Sequence, residues 1–496
     1  MERETDLYAI PKGWMWARLE DVCFVQGGYA FRSSEYQDEG VPLLRISNII
    51  GNKVIFEKDM VFLPEQYQNE YAGFLLTNGE IVIALSGATT GKFGVYDLER
   101  PALLNQRVGR LKYYNHDLVV NRYFLYYMHV VRKQILNKAY GAAQPNIGTT
   151  ELAQLKIPFA PLQEQRRIVA KIEELFTQLD DGVAELKKVQ HQLKSYRQSV
   201  LKSAFDGSLT AKWREEHKAE LEPASMLLEK IETERKKNSK YQELPSQDTA
   251  GLPELPEGWG WASLAELSWD SSYGTSEKCT YESNGYPVLR IPNIVGNRID
   301  LADLKYSVNN FKIGDNEELK YADLLIVRTN GSRDLIGRTA LVSQNFTKPH
   351  LFASYLIRFR LRNTGSIPMW VNYTFLSQRV RDWVEQKAAT SAGQYNISMS
   401  VLSKLNIAVP SLQEQKIIIA EIDRCFSATD EIEEIIERSL KQAERLRQSI
   451  LKKAFEGKLV SQDPEDEPAG KLLERIKAEK IKIKMNSKRG RTVNVR

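Results

Sequence analysis

Apolar residues recur at alternating steps of four and three through Ile168, Ile172, Leu175, Leu179, Gly182, Leu186, Val189, Leu193, Tyr196 and Val200. That spacing is a heptad seam broken only at Gly182, and it predicts one long helix. A second seam runs through Ile418, Ile422, Cys425, Thr429, Ile432, Ile436, Ser439, Ala443, Leu446 and Ile450. Each seam follows a proline, Pro161 or Pro410, and runs out near a glycine, Gly207 or Gly457. These are helix start and stop signals. A helix of ~44 residues at 1.5 Å per residue is about 65 Å long.

Outside the seams the pattern shortens. LLRISNII (43–50), GEIVIAL (79–85) and LLIVRT (324–329) are apolar, β-branched runs between turn residues and predict strands. Residues 118–138 carry a helical pattern. The chain therefore divides into an N-terminal arm (1–9), an α+β domain (10–161), a helical spacer with linker (162–251), a second α+β domain (252–410), and a helical spacer with a basic tail (411–496). Each α+β domain holds about 150 residues, a common domain size.

The segments repeat. GAAQPNIGTTELAQLKIPFAPLQEQRRIVAKIEELF from Gly141 returns as SAGQYNISMSVLSKLNIAVPSLQEQKIIIAEIDRCF from Ser391. IPKGWMWARL from Ile10 returns as LPEGWGWASL from Leu255, and VPLLRISNIIGNKV from Val41 as YPVLRIPNIVGNRI from Tyr286. A period this long is one domain plus one long helix, duplicated. Each half-apolar helix needs a partner. The other copy, paired antiparallel, supplies one, and a second chain is the alternative. PASMLLEKIETERKK (223–237) and PAGKLLERIKAEKIK (468–482) add a shorter helix after each seam, with a stripe that could dock on a partner. The tail after Lys480, with Lys482, Lys484, Lys488, Arg489, Arg491 and Arg496, reads as a disordered, solubilising extension, or as a phosphate contact or partner-binding segment.

The net charge of +5 is too small to announce nucleic acid by itself. The N-terminus is charged and no apolar run approaches a membrane span, so a cytoplasmic protein is expected. Cys23, Cys279 and Cys425 lie far apart and read as reduced packing residues. Five histidines form no HExxH or Cys/His cluster, and no GxSxG or GxGxxG occurs. SGATTGKF (86–93) spaces its glycines one residue too closely for a phosphate loop, and Phe93 stands where a Ser or Thr is needed. No metal or cofactor site is expected, and the chain reads as a recogniser and not an enzyme.

Several loops suit contact with double-stranded DNA. VQGGYAFRSSEY (25–36) brings Tyr29, Arg32 and Ser33, after a Gly27–Gly28 pair read as a tight turn. Its counterpart SSYGTSEK (271–278) brings Tyr273, Thr275 and Lys278. The turn at 86–93 offers Thr89 and Lys92, and RTNGSRDLIGR (328–338) offers Arg328, Asn330, Arg333 and Arg338. The repeated amides Gln144 and Asn146, and Gln394 and Asn396, can pair with adenine edges, and arginine or lysine with guanine. The amides could instead tie each loop to the helix that follows.

Taken in order and twice over, LPEGWGWASLAEL, VPLLRISNI/YPVLRIPNI, QPNI/QYNI and PLQEQRRIVAKIEELF/SLQEQKIIIAEIDRCF resemble the specificity subunits of type I restriction–modification systems. The resemblance covers nearly the whole chain. It implies two α+β target recognition domains separated by long antiparallel coiled-coil helices, each domain reading one half of a bipartite, asymmetric DNA site. It implies two DNA methyltransferase subunits on the helical regions, with restriction subunits joining them. S-adenosylmethionine, ATP and magnesium would belong to those partners. A coiled-coil assembly scaffold that never touches DNA is the competing expectation.

Overall fold

The computed structural model describes residues 7–56, 60–87, 89–139, 146–237, 248–282, 284–308, 313, 317–391 and 393–493. The chain forms two compact units, residues 1–186 with 438–496 and residues 187–437. Helices α1 (Leu162–Phe205) and α2 (Leu412–Phe455) are each 44 residues long, and each begins in one unit and ends in the other. Gly207 (φ +76°) and Gly457 (φ +66°) follow their C-termini in the left-handed region, where a side chain is strained.

In the first unit, β1 (Cys23–Gly27), β2 (Glu80–Ala84), β3 (Phe93–Tyr96) and β4 (Val108–Tyr113) form an antiparallel sheet in the order β1-β4-β2-β3. A short hairpin, Ile49–Ile50 with Lys53–Val54, extends it beyond β3. Ile81 and Ile83 face one layer with Tyr123, Phe124, Ile168 and Ile172. Val82 and Ala84 face another with Leu44, Val54 and Tyr96. Both faces are covered, which is why this strand reads as an unbroken apolar run. The run 43–50, expected as one strand, is split: Val41–Leu44 ends, a 3₁₀ turn follows at Ile46–Asn48, and Ile49–Ile50 joins the other sheet.

The second unit repeats the plan. Strands β5 (Ser268–Tyr273), β6 (Asp323–Val327), β7 (Thr339–Leu341) and β8 (Leu356–Leu361) run in the order β5-β8-β6-β7. In both units a strand at the domain's start pairs antiparallel with the strand that feeds the long helix. These pairs are Met15–Arg18 with Lys156–Phe159, and Gly260–Ser263 with Asn406–Val409. A tryptophan before each pair fixes the helix start: Trp14 Nε1 donates to Glu164 at 2.8 Å, and Trp259 Nε1 donates to Glu414 at 2.8 Å.

Within each unit the two long-helix segments run antiparallel, so the partner of each helix is the other copy in the same chain. In the first unit Arg167 pairs with Asp466, and Asp180 with Arg447, whose guanidinium lies 4.8 Å over Phe176. In the second, Arg214 pairs with Glu414, and Arg197 with Asp430, while Arg197 stacks 5.5 Å over Phe426. The Phe–Arg–Asp clasp is thus built twice, each time from both helices. The seams are not dry throughout: Tyr196, Ile432 and Leu446 are exposed.

The shorter helices dock within the chain. Helix Ala224–Lys236 buries Ala224, Leu227 and Ile231 in the second unit. Helix Ala469–Val493 buries Ala469, Leu472, Leu473 and Ile476 in the first. Each unit is therefore completed by the helix that follows the other copy's seam. The helix also carries the tail beyond Lys480, expected to be disordered, as far as Val493; Arg496 lies outside the described residues. No proline interrupts the chain there.

Candidate nucleic-acid interface

The loops singled out in the sequence sit at the ends of the main sheets. In the first unit the β2–β3 turn carries exposed Lys92 and half-buried Thr89, whose buried Oγ1 makes no hydrogen bond among the described residues. Ser86 bridges to Asn146, and the Ile147 amide donates to the Leu85 carbonyl at 2.9 Å. The turn and the exposed Asn146 thus meet; Gln144 lies outside the described residues. Tyr29 bridges to Asn105, and its exposed ring packs on Phe31, Tyr71 and Phe74. Arg32 and Ser33 are exposed beside it, where the Arg32 amide donates to Glu35.

Gly28 is not part of a tight turn. Gly27 ends β1, and Gly28 runs against the Leu104 and Asn105 carbonyls, so closely that a Cβ would overlap them. Gly274 meets the Phe352 and Ala353 carbonyls in the same way. Both glycines serve close backbone approach. The segments 25–36 and 271–278, read as flexible loops, accordingly begin inside β1 and β5.

The second unit gathers more. A cleft of about 800 Å³ is lined by Thr275, Lys278, Asn330 and Arg338 from the expected set. Thr275 is itself buried, and its hydroxyl accepts from the Glu277 amide, so it shapes the loop and does not present a donor outward. Strand Thr329–Asn330 pairs with Gln394–Asn396, bringing both amide-bearing loops to one edge; Gln394 is exposed there. Arg333 turns aside to Glu385, 3.6 Å away. Arg338 is exposed, with Nε donating to the Asp334 carbonyl. Arg328 is half-buried and stacks 4.7 Å over Tyr273.

Among the cleft residues that escaped the sequence reading are Arg290, Lys305 and Tyr355. Arg290 sits in the middle of YPVLRIPNI, directly after the strand Pro287–Leu289, and reads as framework because its neighbours are apolar. Its Nη2 donates to Asp303 at 3.1 Å, while its buried Nε makes no hydrogen bond among the described residues. Lys305 lies 4.8 Å over Tyr281. The signal available was the base that ends an apolar strand run in both copies, Arg45 and Arg290. Lys278, Arg290, Lys305 and Arg338 give this cleft a strong positive bias, and Glu277 is the acid that lines it. Burial raises the Cys279 thiol, so it offers no ready nucleophile. Among the described residues no cluster of His, Cys, Asp and Glu could hold a metal, and no helix is long and apolar enough to cross a membrane.

The duplicated frame, with a basic cleft on one copy, matches known proteins over nearly its whole length. The family described as type I restriction modification DNA specificity domain matches residues 11–190 and again residues 256–442. The chain belongs to this family. It is 27% identical over 488 residues to the type I restriction enzyme EcoKI specificity subunit of Escherichia coli K12, covering 95% of this chain and 96% of that one. It is 27% identical over 495 residues to the StySPI specificity subunit of Salmonella potsdam, covering 95% and 96%. Its fold matches a chain from a structure concerned with complex assembly and conformational transition of the type I R-M system, with TM-score 0.66, 19% identity, and 91% and 100% of the two chains covered. It also matches the HsdS subunit of Thermoanaerobacter tengcongensis, with TM-score 0.51, 18% identity, and 92% and 99% covered. Specificity subunits of type I systems are non-catalytic, and the two recognition domains of this one fall on the two halves of its repeat.

Proposed function

We propose that this specificity subunit reads a bipartite, asymmetric DNA site, one half-site per recognition domain. Its helical regions carry two methyltransferase subunits, restriction subunits join that core, and the complex works in the cytoplasm on double-stranded DNA. S-adenosylmethionine, ATP and magnesium are assigned to the partners. The observation that carries the reading is the pairing of one repeated frame with unlike loop ends. The second unit bears a cleft walled by Lys278, Arg290, Lys305 and Arg338. In the first, aromatic packing around Tyr29 occupies the corresponding loop. Like frames with unlike readers fit unlike half-sites.

Lysines and arginines on such a surface supply sequence-blind phosphate affinity, which orients the loops that specify. Replacing Lys278, Arg290, Lys305 and Arg338 together by Gln is expected to weaken binding of every duplex. The dependence of log affinity on log salt should become shallower by about 0.9 for each DNA phosphate that these side chains neutralise in the wild type. Fluorescence anisotropy across a salt series measures both. A variant that folds normally and keeps full affinity and slope would favour the protein-assembly scaffold.

A further inference from the structure

The two units differ most sharply at one node. The Leu85 carbonyl accepts from the Ile147 amide and the Arg328 carbonyl from the Ile397 amide, each at 2.9 Å, so Leu85 and Arg328 hold the same place. Leu85 is buried and packs over Gly27 and Gly109, which pair across β1 and β4. The matching pair in the second unit is Tyr273 and Ile357. One unit therefore sets leucine on two glycines, and the other sets arginine on tyrosine.

Arg328 is held yet unspent. Its guanidinium lies 4.7 Å over the Tyr273 ring, and the Tyr273 hydroxyl is anchored by the Met399 amide at 3.2 Å. Nη1 reaches the Ser354 carbonyl and Nη2 the Asn396 Oδ1, both only at 3.4 Å, and Nε makes no bond among the described residues. Stacking removes most of the rotamer freedom of a planar donor fork, while its strongest hydrogen bonds are still to be made. A flat pair of acceptors is the natural complement, and guanine presents O6 and N7 in the major groove.

We propose that Arg328 reads a guanine in the half-site of the second unit, and that the first unit meets the equivalent position with no charged group. This rests on the DNA-reading function above. The test is selection of bound duplexes from a random pool by the full chain with its methyltransferase partners, for wild type, Arg328→Leu and Arg328→Lys. Exchange of residues 252–410 marks which half belongs to the second unit.

Wild type should select a split motif with a guanine in that half. Arg328→Leu, which copies the first unit's residue, should make that one position degenerate, lowering discrimination about 5- to 150-fold. The other half should stay intact. Arg328→Lys keeps the charge without the fork and should relax the same position, with overall affinity retained. It is also the reserve should the leucine variant fail to fold. Retention of the guanine in both variants, or an even loss over all positions, overturns the assignment. A wild-type chain that selects no motif overturns the DNA-reading function itself.

Discussion

Ending the chain after Val460 is expected to unfold the first recognition unit and leave the second folded, although the cut lies far from the first unit's strands in sequence. The truncation removes Leu472, Leu473 and Ile476, all buried in the core that holds Ile81, Tyr123 and Ile168. Three such side chains are worth roughly 5–9 kcal/mol of transfer free energy, comparable with the whole stability of a domain. It also removes Asp466, which pairs with Arg167 at 2.6 Å, and Gln462, which donates to Glu164 beside the Trp14 indole. Hydrogen exchange should show Glu80–Ala84 losing protection while Asp323–Val327 keeps it. The gentler Leu472→Ala should cost about 2–5 kcal/mol in the first unit alone. Equal losses in both units, or none, would contradict this division of the chain.

Removing the Asp323 carboxylate is the second large effect, and it falls on the other unit. Asp323 and Arg358 are wholly buried, and Asp323 receives Arg360 Nε at 2.8 Å and Arg358 Nη1 at 3.4 Å. Its second oxygen accepts from the Lys320 amide at 2.7 Å. Asp323→Ala takes their buried acceptor from Arg358, Arg360 and the Lys320 amide, leaving Arg358 only the exposed Asp270 as a carboxylate partner. Breaking one partner of a buried pair typically costs about 3–5 kcal/mol, mostly the penalty of the uncompensated charge. The first unit carries the simpler form, Arg110 with Glu80 at 3.1 Å. Denaturant unfolding should show a loss of that size confined to the second unit's transition. A loss under about 1 kcal/mol would mean water or a shifted side chain compensates the site.

Much of this architecture was legible because it is one-dimensional. The seams mark α1 and α2, and proline and glycine mark their ends. The duplicated strand phrases mark two like domains, and pairing of each long helix with the other copy was the leading expectation. What the pattern could not show was which shorter helix completes which unit. The stripes at 223–237 and 468–482 are equivalent as sequence. Connectivity decides: α1 ends in the second unit and releases the following helix there, and α2 returns its follower to the first.

At the candidate interface, residue type could be read from the sequence and its surroundings could not. Asn330, Arg338 and Lys278 were chosen for their chemistry and line one cleft of the second unit, and Arg328 directly precedes the Thr329–Asn330 strand. Thr275 was chosen on the same grounds but is buried as a loop brace. Arg290 was passed over because an arginine at the end of an apolar run looks like a strand terminus. Gly28 looked like a turn because close backbone approach and a left-handed turn demand the same residue. Leu85 gives no hint of importance until it is set against Arg328, and that match depends on hydrogen-bond register.

Two like frames with unlike ends are proposed to read two unlike half-sites independently. Single-molecule methylome sequencing tests it most directly. The host would carry the chain with its methyltransferase partner, beside the same host in which residues 252–410 are exchanged for those of another specificity subunit. The expected result is a split methylated motif with two different halves about a fixed gap, of which the exchange alters one half and spares the other. A change in both halves, or a methylome the same as in a host lacking the chain, would contradict it.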